Sequence, residues 1–199
     1  MSSSDLSKIK LNMLFVSDSI VLWTNDTSIE SFHKILVVLL NFLEKGFLYK
    51  YPIRGALVKG YLGVNNIKEK TEYYVGGQFV YGPGFLKAVK IEESQNWSGC
   101  VIDQECLEYY NELVSAGNIE NAGIDYLLDL KAIVKDDVPF KKGNEECYVI
   151  NWSISISLNE KMLMDAFSEW GKSIEDPRAK LIIDHSLDFF RKHSENTDP

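Results

Sequence analysis

A mixed fold, α+β or α/β with helices covering a sheet, is predicted by three features of this sequence. Ile29, Phe32, Leu36, Leu39 and Leu43 recur at helical spacing and mark an amphipathic helix. Short β-branched and aromatic runs bounded by turn residues lie before and after it and read as strands. Further on, Tyr148, Ile150, Trp152, Ile154 and Ile156 alternate with Asn151, Ser153, Ser155 and Ser157, the clearest period of two in the chain. Helical and extended patterns thus succeed one another, as they do where a sheet is buried under helices.

Taken in order, residues 8–14 and 19–24 read as two strands of a β-hairpin with Ser17 and Asp18 at its turn. Asn25-Asp26-Thr27-Ser28 is a helix-start cluster, and the helix is expected over 28–45 with Gly46 as its stop. Residues 53–62 follow Pro52 and read as a strand with close-approach glycines at Gly55 and Gly60. A loop of mixed charge is expected over 63–77. Gly82-Pro83-Gly84 opens a helix to 94 or 95, 99–103 is a short apolar strand, and 105–116 is a helix with Leu107, Tyr110, Leu113 and Val114 inward. Residues 125–134 and 147–158 are expected strands. Asp176-Pro177 caps and opens a final helix that offers Ile182, Ile183, Leu187, Phe189 and Phe190 for packing.

The chain has 199 residues, 45% of them hydrophobic and 25% charged, which suits a single packed domain over 1–199: a core over 8–116 and a C-terminal extension, 117–199, packed on it. The longest apolar run, 35–40, falls far short of the ~20 residues that span a bilayer, and Met1-Ser2-Ser3-Ser4-Asp5 is not a basic signal start. A cytoplasmic location without membrane contact is the expectation. A formal charge of −8, from 29 acidic and 21 basic residues, argues against a nucleic-acid partner, though local cations and a metal ion can hold a nucleotide in an acidic protein. Cys100, Cys106 and Cys147 are odd in number and lack metal-ligand spacing, so reduced, buried thiols are expected.

Four motifs stand in series: Phe15-Val16-Ser17-Asp18-Ser19 between apolar runs, Arg54-Gly55-Ala56, Gly82-Pro83-Gly84, and Ile91-Glu92. Their order and spacing over about residues 10–103 resemble the class III nucleotidyl cyclases, nearest to the bacterial pyrimidine cyclases of antiphage defence. The resemblance implies a ferredoxin-like cyclase-type α+β sheet covered by helices. In such enzymes one metal-binding aspartate comes from a first strand that precedes the hairpin, and only nine residues precede residue 10 here, with Asp5 among serines. The first strand is therefore expected to be rearranged or substituted, either by 147–158 or by a second chain.

Cyclisation of a nucleoside triphosphate brings a 3′-hydroxyl onto the α-phosphate, and divalent cations held by carboxylates activate the nucleophile and neutralise the phosphates. The resemblance makes Asp18 the metal residue, for magnesium or manganese, with Ser17 and Ser19 beside the nucleotide. Asp is also a common turn residue that bonds its own backbone. Arg54 is the candidate for a bidentate phosphate contact and a catalytic role. Gly82 and Gly84 would let backbone approach the nucleotide, with Lys87 near its phosphates and Lys90 a second catalytic candidate. The transition-state asparagine and arginine of many such enzymes are replaced by Leu86 and Lys90, and Glu92 is expected to fix its helix. Tyr73 and Tyr74 could stack on a base, Trp97 and Trp152 read as core or interface anchors, and His33, His185 and His193 show no ligand pattern.

Together these readings predict a degenerate cyclase-like protein that binds a nucleoside triphosphate or cyclic nucleotide, or partners a cyclase, as a homodimer or as a heterodimer with a cyclase-like chain. The alternatives are an active cyclase that makes a cyclic nucleoside monophosphate signal in antiviral defence, and a non-enzymatic interaction scaffold.

Overall fold

A computed structural model describes residues 10–69, 75–169 and 176–194. The fold is α+β, with six α-helices among the described residues. Its main sheet has the order β3-β6-β8-β7, formed by β3 (Gly55–Leu57), β6 (Cys100–Ile102), β8 (Gly143–Ile150) and β7 (Ile133–Phe140). Only β3 and β6 run parallel; the β6–β8 and β8–β7 pairs are antiparallel. Two separate hairpins, β1 (Leu11–Val16) with β2 (Ser19–Thr24) and β4 (Gly63–Glu69) with β5 (Val75–Tyr81), stand outside this sheet.

Helix α1 (Ile29–Leu48) starts at Ser28, whose hydroxyl accepts the Ser31 amide at 3.2 Å. Asp26 accepts the hydroxyls of Ser28 and Ser31, both at 2.6 Å, and these bonds hold its carboxyl below the usual range. The buried face of α1 crosses the molecule. Phe32 stacks on Tyr110 of α3 (Gln104–Gly117) at 4.2 Å, and Phe47 lies 4.4 Å from Trp152. Gly46 is not the predicted stop. α1 runs through it to Leu48, because a bare Cα lets the returning chain pass: a Cβ there would stand 2.7 Å from the Tyr51 carbonyl and 3.0 Å from Ile53.

Helix α2 (Pro83–Ser94) packs against β3, with Pro83 at its first turn as expected. The C-terminal part packs into the same hydrophobic cluster as α1, β6 and α3. It comprises α4 (Ile124–Asp129), α5 (Glu160–Ser168) and α6 (Pro177–His193), the last capped by Asp176 as predicted. Trp152 meets Phe189 at 5.3 Å and Phe189 meets Trp97 at 4.9 Å, so both tryptophans are core anchors.

Several expected elements differ. The strand predicted over 53–62 is only three residues long, and the loop over 63–77 contains the β4–β5 hairpin. The strand expected over 125–134 is instead α4 followed by the start of β7. The strand over 147–158 ends at Ile150, and Trp152–Ile154 is a 3₁₀ turn. There Asn151 and Ser153, polar members of that alternation, are fully buried, and the Ser153 hydroxyl donates to Asn151 Oδ1 at 2.6 Å. Cys147 to Ile150 do take a place in the sheet, beside β6. β3 remains an edge strand. Gly55 N bonds Gly99 O and Asp103 N bonds Leu57 O, which leaves the Ala56 amide and carbonyl on the outer side. Among the described residues no helix is long and apolar enough to cross a membrane.

Candidate functional site

The residues singled out by the sequence fall into two places. Ser17 and Asp18 form the two-residue turn of the β1–β2 hairpin, whose register puts Val16 opposite Ser19. Ser17 adopts φ 56°, a left-handed conformation that costs a non-glycine residue about 1 kcal/mol. Ser17, Asp18 and Ser19 are all exposed, and Asp18 makes no hydrogen bond or ion pair among the described residues. A divalent cation there would meet one carboxylate, which does not make the paired-carboxylate seat of two-metal chemistry. No cluster of three or more His, Cys, Asp or Glu side chains placed to hold a metal ion occurs among the described residues.

The second place is the seam between β3 and α2. Arg54 stands one residue before β3, half-buried, with its Nε donating to Glu92 Oε1 at 2.6 Å and its Nη1 donating to the Gln95 carbonyl at 2.9 Å. Gln95 is fully buried and continues the network: its Nε2 donates to the Gly55 carbonyl at 2.9 Å, and its Oε1 accepts the Trp97 indole N–H at 2.8 Å. Glu92 thus fixes its helix, as the sequence led us to expect, and it does so through Arg54.

Lys87, on the same helix, donates to Asp103 Oδ2 at 2.7 Å and Glu105 Oε2 at 2.8 Å. Its hydrogen bonds to Asp103 and then Glu105 hold the ammonium's pKa above the ordinary lysine value, and the bond to Lys87 lowers that of Glu105. Asp103 is the N-cap residue of α3, yet its side chain makes no cap bond and turns to Lys87 instead. Lys90 is exposed on α2 and forms no ion pair among the described residues. The glycine turn is filled by backbone. Gly82 adopts φ 124°, Gly84 N bonds the Tyr61 carbonyl at 3.0 Å, and a Cβ on Gly60 would stand 2.6 Å from Gly84 Cα. These glycines seat the 58–62 loop on the first turn of α2.

The seam therefore sets two cations, Arg54 and Lys87, against three carboxylates, Glu92, Asp103 and Glu105. An anion entering it meets both cations already engaged by carboxylates and must compete with them. The sequence reading missed Asp103, Glu105 and Gln95; the one available signal was that Asp103 directly follows an apolar strand, at a helix start. It also missed Lys59, whose Nζ lies 3.9 Å from the centre of the Tyr109 ring. Of the other candidates, His33 sits between α1 and α3 with its Nε2 2.7 Å from the Tyr110 hydroxyl, and His193 contacts Asp136 at 3.2 Å. Cys100 and Cys106 are buried thiols, each pushed up to about 12 by burial, and Cys147 is half-buried; all three are free. Tyr73, Tyr74 and Asp5 lie outside the described residues. No contact brings Asp18 together with Arg54, Lys87 or Lys90.

The chain matches no protein-family model, no curated protein and no solved structure.

Proposed function

We propose that this chain is a degenerate cyclase-like subunit that works by associating with another chain, in a dimer, and does not itself turn over a nucleoside triphosphate. One observation carries the reading: the two cations best placed by sequence to meet phosphate, Arg54 and Lys87, are already paired with Glu92, Asp103 and Glu105. A triphosphate would compete at Arg54 with a half-buried Glu92 partner at 2.6 Å, while the one carboxylate of the hairpin turn offers a weak seat for magnesium or manganese. Association is favoured by the β1–β2 hairpin, where Met13, Phe15, Val16 and Ile20 are exposed. By its resemblance to the defence cyclases, the partner would be a cyclase-like chain and the setting nucleotide signalling against phage.

The test is incubation of the purified chain with each of the four ribonucleoside triphosphates and manganese, with products identified by mass spectrometry and Asp18→Ala run in parallel. No cyclic product is expected, and no unfolding midpoint shift that grows with triphosphate concentration. A cyclic monophosphate that disappears in Asp18→Ala would establish an active cyclase instead. Concentration-dependent stabilisation that Arg54→Ala abolishes would replace association with nucleotide binding as the reading of the seam.

A further inference from the structure

The β1–β2 hairpin lacks the cover that its own side chains call for. One face carries Leu11, Met13, Phe15, Ile20 and Leu22 with Thr24, and the other carries Leu14, Val16, Val21 and Trp23 with Asn12 and Ser19, so both faces are predominantly apolar. Strands apolar on both faces belong to sheets covered on both sides. Yet none of residues 11–24 is buried, and Phe15 is 66% and Met13 50% exposed. An isolated two-stranded hairpin is marginal in water, and this one meets the core only through its base, where Leu11 and Leu22 are partly buried and β2 packs on α1, among the described residues.

Its backbone is open as well. The two-residue turn makes Val16–Ser19, Leu14–Val21 and Asn12–Trp23 the hydrogen-bonded pairs, which points the amides and carbonyls of Leu11, Met13 and Phe15 outward from β1. None of these groups has a hydrogen-bond partner among the described residues. The usual protections of an edge strand are missing from Leu11–Val16, which holds no Lys, no Pro and no charge of either sign.

We propose that β1 pairs antiparallel with β1 of a second copy of this chain, about a two-fold axis at Leu14, to give a continuous four-stranded sheet β2-β1-β1-β2. The inference rests on the reading of the chain as an association subunit and assigns its surface and its partner. Charge selects the geometry. Each copy carries −8, so two copies meet with least repulsion along an uncharged strand. Antiparallel pairing also places the two Asp18 turns about 27 Å apart, four residues to either side of the axis, well beyond a screening length of about 8 Å. In this register Met13 lies opposite Phe15 of the other copy on one face, and Leu14 opposite Leu14 on the other. About four inter-chain main-chain hydrogen bonds form, between the outward groups of Met13 and Phe15. The arrangement is isologous, so it closes at two copies along this edge.

The experiment measures mass by light scattering at about 50 μM for the wild type, Met13→Lys and Phe15→Lys. Disulfide trapping of Leu14→Cys and Val16→Cys in a Cys147→Ser background accompanies it. Leu14 faces itself as a non-hydrogen-bonded pair at a Cα separation of about 4.5 Å, inside disulfide range, whereas the two Val16 residues stand roughly 13 Å apart. The expected result is a wild-type dimer, lysine variants whose dimer fraction falls at least tenfold but whose unfolding midpoints match the wild type's at concentrations too dilute for the dimer, and rapid cross-linking of Leu14→Cys alone. A monomeric wild type overturns self-pairing and leaves association with a different chain standing. A dimer undisturbed by either lysine, or trapped faster by Val16→Cys, overturns the assignment to β1.

Discussion

Arg54 shows how one side chain is drawn from function into architecture. Its guanidinium reaches Glu92 and the Gln95 carbonyl from just outside β3, so the strand and α2 are tied at a point where neither side chain is more than a third exposed. Removing the arginine leaves a half-buried carboxylate and a carbonyl without their donor, which costs more than the pair contributes when intact. Arg54→Ala is expected to lower stability by about 2 kcal/mol in urea titration. A double-mutant cycle with Glu92→Ala is expected to return a coupling of roughly 1–2 kcal/mol. A coupling near zero would release Arg54 from this role and return it to the candidates for phosphate. The residue scale was legible where a motif is local: Ser17 and Asp18 at a turn, Glu92 as a helix anchor. Asp103 and Glu105 were not legible as partners of Lys87, because only the crossover between α2 and α3 brings them within 2.8 Å.

At the scale of elements, local signals and tertiary demands diverge at particular residues. The caps at Ser28 and Asp176 were readable because a cap is a contact within three residues. Gly46 misled because glycine commonly ends helices, and here it serves a close crossing instead. That crossing makes a prediction whose sign opposes helix propensity. Alanine is favoured over glycine inside a helix by about 1 kcal/mol. At Gly46 the added Cβ would meet the Tyr51 carbonyl at 2.7 Å, and backbone cannot yield as a side-chain tip can. Gly46→Ala is expected to destabilise the protein by about 1 kcal/mol or more, measured by thermal or urea unfolding. A gain in stability would mean that the Tyr51–Ile53 segment moves freely away from α1. The β4–β5 hairpin was hidden for a different reason: Gly76-Gly77 and mixed charges read as loop, and its strands are defined by pairing with each other. Likewise the polar members of the 147–158 alternation are core residues held by each other, so a period of two carried on beyond the end of β8.

Across the whole molecule, acid acts through two groups at separate seams. His33 joins α1 to α3 through the 2.7 Å contact of its Nε2 with the Tyr110 hydroxyl, whose oxygen also accepts the Gly123 amide at 3.1 Å. Burial lowers the His33 pKa from 6.5, partly countered by Glu30. Asp136, on β7, joins the end of α6. Burial opposes its charge, but His193 against its Oδ2 and hydrogen bonds from Lys192 and the Asp137 amide more than offset this and hold its carboxyl at about 2. Both groups are depressed in the folded state, so the unfolded chain binds more protons than the native one as pH falls. Each contribution is complete above the unfolded pKa and is lost as pH drops through the folded one. Stability is expected to decline first below about pH 6.5, as His33 is forced to charge, and again between about pH 4 and 2, as Asp136 is neutralised. Urea titrations from pH 8 to 2 would show the first decline absent in His33→Gln and the second absent in Asp136→Asn. Because the hairpin edge of β1 contains no ionisable group, the same acidification should leave its pairing intact until the first decline begins. Dissociation of a dimer well above pH 6.5 would place a titrating group in the interface and count against β1 as its seat.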